Sequence, residues 1–487
     1  MPQEAIPFGM QLSGQTNLAG APGVAINVIV DKTGTVRRRP GIKAPTNLPT
    51  AVIDANGITG LHHPADGRSD LLAVGNGAVR SIYRVTSSGA VDLSPGNGVS
   101  LDDLDGASRP VFAETEAMVL IAGGGKIQRV FLETFPTVNT PYLSERLGGT
   151  PPEATHVIVN RARVLCNNAS ATDQVNWSSP AAGSNYSGHE EWNGIGDSGY
   201  FAGESRPDQI RALAESTAEV YAFGATTTEV WAPDSQSVYV PAAIREYGMA
   251  SPYCAIRREE SFGWIDHKRR VVISDGRSYE VISDPIKQTL DELGVISDCF
   301  GYRVVMGPLD GFVWTFPTAG VTLCYQMGGG WAQWRGWSGS AFSQFKVLSH
   351  AQRNDTAENV VGMQAGTLGI LDFNTYTDLG DRIECYVTSG HQSRGTEKRK
   401  LCKAVYLTVS RPTISGDDSS VVSLSYRDDE GAYCEPLRFA LEANDRTVTI
   451  PFYSLGAYHR RDWRVQFGEG ESWALVGAQE EFEVLAT

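Results

Sequence analysis

The sequence predicts an all-β protein: a β-propeller of six or seven blades followed by an antiparallel, sandwich-like β domain. Three observations predict it. Short apolar runs are broken throughout by Gly, Asn, Asp and Pro, and the chain carries 52 glycines, as many tight turns require. A strand–turn–strand unit recurs along most of the chain. Beyond about residue 380 the runs lengthen and alternate between apolar and polar residues, as half-buried strands do.

The recurring unit is an apolar strand, a small or polar turn, and a second strand that often carries an aromatic. It reads LLAVGNGAVRSIYRV (71–85), VLIAGGGKIQRVF (119–131), VLCNNASATDQVNWS (164–178) and VYAFGATTTEVWA (220–232). It continues as VVISDGRSYEVI (271–282), VVMGPLDGFVWTF (304–316) and VVGMQAGTLGILDF (360–373). Start-to-start spacing centres on ~45–50 residues, the range of a four-stranded blade. GVTLCYQMGGGWAQW (320–334) extends the sixth unit to four strands, one whole blade. A single blade cannot bury both faces, whereas a ring of blades can and leaves only short edges. A set of unrelated hairpins in a sandwich is the alternative.

These patterns divide the chain into an N-terminal strand or arm (1–50) that closes the propeller or contacts another subunit, the propeller (51–380), and a C-terminal β domain (381–487). The last region is read from KRKLCKAVYLTV (398–409), SSVVSLSYRDDEGAYC (419–434), RTVTIPFY (446–453) and DWRVQFGEGESWALVGAQEEFEVL (462–485). Helical periodicity is confined to PDQIRALAE (207–215) and DPIKQTLDEL (284–293). In the second, Asp284 suits a cap and Pro285 the first helical position.

Charge and composition narrow the function. The formal net charge is −15, with 41 Lys+Arg against 56 Asp+Glu. Stable nucleic-acid binding draws its affinity from phosphate neutralisation and favours a basic surface, so this balance argues against it. It is compatible with DNA passing without sticking. MPQEAIPFGM lacks the basic and apolar regions of a signal peptide, and no run approaches the ~18 apolar residues of a membrane span. The seven cysteines are odd in number and lack CxxC spacing, and are expected to be reduced, mostly buried, in a protein assembled in a cytoplasm. The sequons at Asn168, Asn176, Asn185 and Asn354 are read as chance matches.

No chemistry-bearing pattern emerges. A glycosidase needs two carboxylates ~5–10 Å apart. Adjacent pairs such as Asp102/Asp103, Glu190/Glu191 and Glu480/Glu481 point to opposite faces of a strand and do not make such a site alone. SDGRSYE (274–280) is a single echo of a sialidase-type turn. His62 and His63 are adjacent, and GHEEW (188–192) sets His189 beside two acids, but neither has metal-ligand spacing. There is no GxSxG elbow, and IAGGGKI (121–127) lacks the P-loop pattern and reads as a hairpin turn. No catalytic, cofactor-binding or metal residue is assigned, and the protein is read as a non-enzyme without a cofactor. The tryptophans of WAQWRGW are expected to pack between blades, with Trp331 and Trp337 on one face and Trp334 on the other.

A longer order of motifs resembles a known family. NRARVLCNNASATDQVNWSSPAAGSNYSGHEEWNG (160–194) is followed by FAGESRPDQIRAL and VYAFGATTTEVW. Then come REYGMASPYC (245–254), FGWIDH (262–267), VVISDG (271–276) and ISDPIKQTL (282–290). The N-terminal VAINVIVDKTGTVRRRPGI and C-terminal SYRDDEGAYCEP and GAYHRRDWRVQFG extend the likeness. This order resembles the β-propeller tail-hub, or nozzle, proteins of short-tailed bacteriophages, also called packaged-DNA stabilisation proteins. The Asn-Arg opening, Val175 to Ser178, Arg206-Pro207-Asp208 and Thr228 to Trp231 carry it. GHEEW and the long C-terminal insertions have no placed counterpart.

The resemblance implies a structural virion protein of the viral tail, assembled in the host cytoplasm. It implies a homo-oligomeric ring, a hexamer, below the portal and head–tail adaptor proteins, as part of the head–tail connector. Such a ring extends the DNA channel, retains packaged DNA until ejection, lets double-stranded DNA pass transiently, and docks tail fibre, spike or needle proteins. An acidic wall suits that conduit, because like charge disfavours sticking within the Debye length. The alternative from another class is a propeller-fold polysaccharide hydrolase or depolymerase, which a carboxylate cluster on the propeller axis would favour. A scaffold for cellular partners is a third.

Two basic runs remain. Arg37, Arg38 and Arg39 precede Pro40-Gly41, and Lys398, Arg399 and Lys400 begin the C-terminal strands. As strands, Arg37 and Arg39 would share one face, as would Lys398 and Lys400. All six are candidates for an intersubunit contact or a contact with DNA or the adaptor. The plainer reading is that they pair with the chain's own acids.

Overall fold

The structure is a computed structural model and describes residues 3–8, 23–65, 68–77, 80–93, 104, 108–132, 145–181, 186–203, 208–217, 219–234, 239–275, 278–411, 421–429, 431–441, 446–468 and 473–486. Of the residues singled out above, Asp102, Asp103, Asn185, Arg206, Pro207, Gly276 and Arg277 lie outside that set, as do residues 9–22 of the N-terminal segment.

The chain forms a β-propeller. Six blades are meanders of four consecutive antiparallel strands, spanning 58–92, 111–146, 157–202, 212–245, 256–281 and 300–334. The next sheet on the ring is composite. Val347–Gln352, Asn359–Met363 and Leu368–Asp372 supply three strands, and Gly41–Lys43 supplies the fourth, Leu371 pairing with Ile42, with the short strands Thr377–Asp378 and Asp381–Arg382 beyond it. Each of the seven hairpins read from the sequence falls in a different one of these sheets. The strand–turn–strand grammar was legible because every blade repeats the same local problem: a buried second strand, then a tight return.

Gly41 is needed where the first and last parts of the propeller meet. A Cβ there would lie 2.3 Å from the Thr375 carbonyl oxygen and 2.6 Å from that of Thr377. The Gly41 amide instead donates to Thr375 at 3.0 Å.

Two sheets follow the propeller in sequence, and neither stands apart from it. Tyr386–Gln392, Arg461–Phe467, Val421–Asp428 and Leu437–Ala440 extend the sheet of the sixth blade, with Ala25–Ile26 inserted between its outer strand Trp331–Trp334 and Tyr386–Gln392. The facing sheet runs Val28–Val30, Val36–Arg38, Ala474–Val484, Lys400–Ser410 and Thr447–Tyr453, with Gln3–Ala5 paired to Ala474–Val484. Burial along Lys400–Ser410 alternates, the signature of one face in the core. A single apolar cluster joins Val304, Val313 and Trp334 of the sixth blade, Val347 and Val361 of the composite blade, and Val405, Val422, Trp463 and Ile450 of the two sheets.

Three local expectations are corrected. The helix expected over 207–215 is absent: Ala212–Glu215 is the inner strand of the fourth blade, because pairing with Val220–Phe223 outweighs local propensity. The second helix is present, as a 3-10 turn at Asp284–Ile286 running into Lys287–Glu292, but Ser283 rather than Asp284 holds the N-cap position. Trp331 and Trp334 are fully buried on opposite faces, in two different cores, whereas Trp337 does not share a face with Trp331. The strand ends at Trp334, and Trp337 belongs to a separate two-stranded hairpin, edge-on to Phe342. IAGGGKI is the turn of a hairpin, as expected.

Gly41→Ala should destabilise the protein by ~2 kcal/mol or more in urea unfolding, since backbone atoms rather than a flexible side chain stand in the way. Gly477→Ala, whose added Cβ meets nothing within 4 Å, should change stability by under ~0.5 kcal/mol. Equal effects at the two positions would refute the closure assigned to Gly41.

Candidate functional site

The basic run at 37–39 sits at the seam between propeller and C-terminal sheets, and only its first residue stays at the surface. Arg37 keeps part of its side chain exposed, 4.0 Å from Asp31. Arg38 is buried, with Nε donating to Cys385 Sγ at 3.3 Å and Nη2 to the Ile383 carbonyl at 3.0 Å. Arg39 is buried and forms a two-pronged ion pair with Asp378, at 3.0 and 2.5 Å. Its Nε donates to Asn27 Oδ1 at 3.0 Å, and its guanidinium lies 4.8 Å from the Phe345 ring centre. The expected face-sharing of Arg37 and Arg39 fails because the strand ends at Arg38 and the chain turns at Pro40.

In the second run Lys398 and Arg399 are exposed, and Lys400 is buried with Nζ donating to the carbonyls of Thr396 and Lys398 at 2.7 and 2.9 Å. The strand starts only at Lys400, so Lys398 and Lys400 share no strand face. The two runs form no common patch. Arg37 pairs with Ala474 and Lys400 with Val484, opposite ends of one strand and so ~33 Å apart.

The acids in the motifs serve turns. Asp208 accepts from the amides of Ala225, Thr226 and Thr227 at 2.8, 2.6 and 2.9 Å and from both threonine hydroxyls, clasping the turn between Val220–Phe223 and Thr228–Pro233. Burial pushes its carboxyl up, but the donors outweigh burial and hold it below the usual carboxylate range. Asp266, fully buried, does the same in the fifth blade: it accepts from the amides of Lys268 and Arg270 at 2.9 and 2.8 Å and pairs with the Arg270 side chain. Glu190 of GHEEW pairs with Arg129, and His189 is buried against the Ala162 carbonyl. His62 bonds Glu114 at 3.0 Å. Among the described residues no group of three metal-ligating side chains converges. All seven cysteines are free, and Cys434 is the least buried.

A cavity of about 250 Å³ occupies the propeller axis. Every blade contributes to it from its first strand or the residues just before it, among them Thr59, Arg109, His156, Leu213, Tyr253, Phe300 and His350. His156 stacks on Tyr253 at 5.3 Å and His350 on Tyr302 at 5.2 Å. Burial lowers both imidazoles to about 4, against partial support from the Pro252 carbonyl and the Asn359 side chain respectively, so both are neutral at pH 7. Arg109 donates to the Thr59 carbonyl at 3.2 Å and to that of Leu348, and its guanidinium centre lies 3.7 Å from the Phe300 ring centre. None of the described lining residues is Asp or Glu, so the carboxylate pair that would favour a glycosidase at the axis is not found there. The cavity had no signature in the sequence, because its residues come one to four at a time from seven separated segments.

Residues 195–293 match the family model Phage_stabilise, described as bacteriophage P22 Gp10, beta-propeller. The matched stretch runs from the end of the third blade through the fourth and fifth to the helix at Lys287–Glu292, and it contains both the Asp208 and Asp266 clasps. This match points to a structural protein of the phage virion. No curated protein matches the chain. Among solved structures, the Neurospora crassa Pan2 WD40 domain is similar at 9% identity and a TM-score of 0.37, over 67% of this chain and 91% of that one.

Two outcomes are expected. Asp208→Ala leaves three amide donors without their acceptor and should cost ~1–3 kcal/mol in urea unfolding at pH 7. Because the folded carboxyl titrates low, its contribution should disappear as pH falls through that low value, and the variant's deficit should shrink in strong acid. For His156 the sign is the same, in a higher pH window. A base whose folded pKa is depressed makes the protein lose stability as pH falls from ~6.5 to about 4, by up to ~3 kcal/mol. His156→Gln should flatten that part of the stability–pH curve; an unchanged slope would contradict a buried neutral imidazole.

Proposed function

We propose that the protein is the tail-hub, or nozzle, subunit of a short-tailed phage. Copies assemble into a ring, a hexamer, below the portal and its adaptor, extend the DNA channel, help retain the packaged genome, and dock fibre, spike or needle proteins. The observation that carries this reading is the match of residues 195–293 to the P22 Gp10 propeller family, on the segment whose ordered motifs the two acid clasps explain. The net charge of −15 supports a conduit that DNA crosses without adhering. The role is geometric and electrostatic, and no residue is assigned to catalysis.

Within this reading the half-buried Arg37 and the exposed Lys398 and Arg399 are the ones left to meet a neighbouring subunit, the adaptor or DNA. Arg38, Arg39 and Lys400 act inside the chain.

The test is the mass and projection symmetry of the purified protein, alone and mixed with its portal–adaptor complex. A ring with an axial opening in either sample is expected, and Arg37→Glu should weaken its assembly without changing the unfolding midpoint of the monomer. A monomer in both samples would overturn the hub reading. Full assembly by the variant would remove Arg37 from the contact.

A further inference from the structure

The axial cavity holds a charge. Some arginines with buried side chains are matched by acids, Arg39 by Asp378, Arg394 by Glu480, Arg353 by Asp355 and Arg461 by Asp428, while Arg163 meets backbone carbonyls that lie outside any cavity lining described above. Arg109 combines the lack of an acid with a place on the cavity wall. Among the described residues its partners are two backbone carbonyls and the face of Phe300, and no carboxylate lies in ion-pair reach. This occurs in a chain with 56 Asp+Glu, where a chance acid neighbour is easy to find. Burial and the like charge of Arg80 disfavour the cation, and two carbonyl dipoles and a ring quadrupole support it, which leaves an incoming anion the strongest interaction on offer.

The surroundings select the kind of anion. The two axial imidazoles are neutral and bring no competing charge. Phe112, Tyr253, Phe300 and Tyr302 line the same space, giving flat apolar walls. A volume of about 250 Å³ equals roughly eight water molecules' share of the liquid, too large for a bare tetrahedral ion to fill. A planar carboxylate suits the guanidinium fork, and an apolar body attached to it would occupy the rest.

We propose that the propeller axis is a binding site for a small organic carboxylate, held by Arg109 through its oxygens and by the aromatic walls through its body. The site is independent of the ring assembly proposed above, since all of its residues belong to one chain.

Benzoate is the probe, titrated calorimetrically into the full-length protein, with inorganic phosphate as the comparison. Saturable binding of one benzoate per chain is expected, tighter than phosphate. Arg109→Gln should weaken benzoate at least tenfold. Ala255→Leu, which narrows the cavity and leaves the guanidinium in place, should also weaken it, and decides the matter if the arginine variant does not fold. Absence of saturable benzoate binding at concentrations well above ~1 mM would overturn the proposal. So would undiminished affinity in either variant, and phosphate binding more tightly than benzoate would overturn the aromatic-body assignment.

Discussion

The architecture hangs on one buried knot, the contact of Arg39 with Asp378 and Asn27. Asn27 stands where the N-terminal segment leaves the sixth blade's extended sheet and enters the facing one, and it adopts a left-handed φ of 55° to do so. Its side chain accepts from Arg39 Nε and the Arg335 amide and donates to the Glu384 carbonyl at 2.8 Å. Arg39 then reaches Asp378, on the short strand Thr377–Asp378 that borders Gly41–Lys43 in the composite sheet. Three parts of the chain, at residues 27–39, at 335 and at 378–384, are held in one register by two side chains. A buried charge without its partner costs several kcal/mol, so removing Asp378 alone would leave Arg39 at that cost.

That knot explains why the C-terminal sheets are not an independent unit hung on a propeller. The N-terminal strands Ala25–Ile26 and Gly41–Lys43 finish two different blades, while Val28–Val30 and Val36–Arg38 between them belong to the facing sheet. The propeller cannot close without the same few residues that seed the sandwich. Long-range pairing of this kind is slow to form.

Polar residues divide between two tasks along the propeller. Toward the blade turns, Asp208 and Asp266 satisfy backbone amides that would otherwise be buried without acceptors. At the axis, Arg109 and two stacked histidines face a cavity whose described lining residues include no acid. The first group makes the scaffold; the second is where the scaffold has room for a ligand.

The sequence by itself determined the all-β class, the seven hairpins, the four strands of the sixth blade and the order of motifs that resembles the phage family, because each is written in residues adjacent along the chain. It misread 207–215 as a helix, since only the partner strand Val220–Phe223 decides between two local options. It named Arg37, Arg38 and Arg39 as one cluster, yet could not say that two of them turn inward, because Asp378 and Cys385 lie more than three hundred residues away. Tertiary structure alone decided the composite blade, the shared core and the axial cavity. Each depends on non-local pairing, and no short stretch of chain records which distant strand will lie beside it.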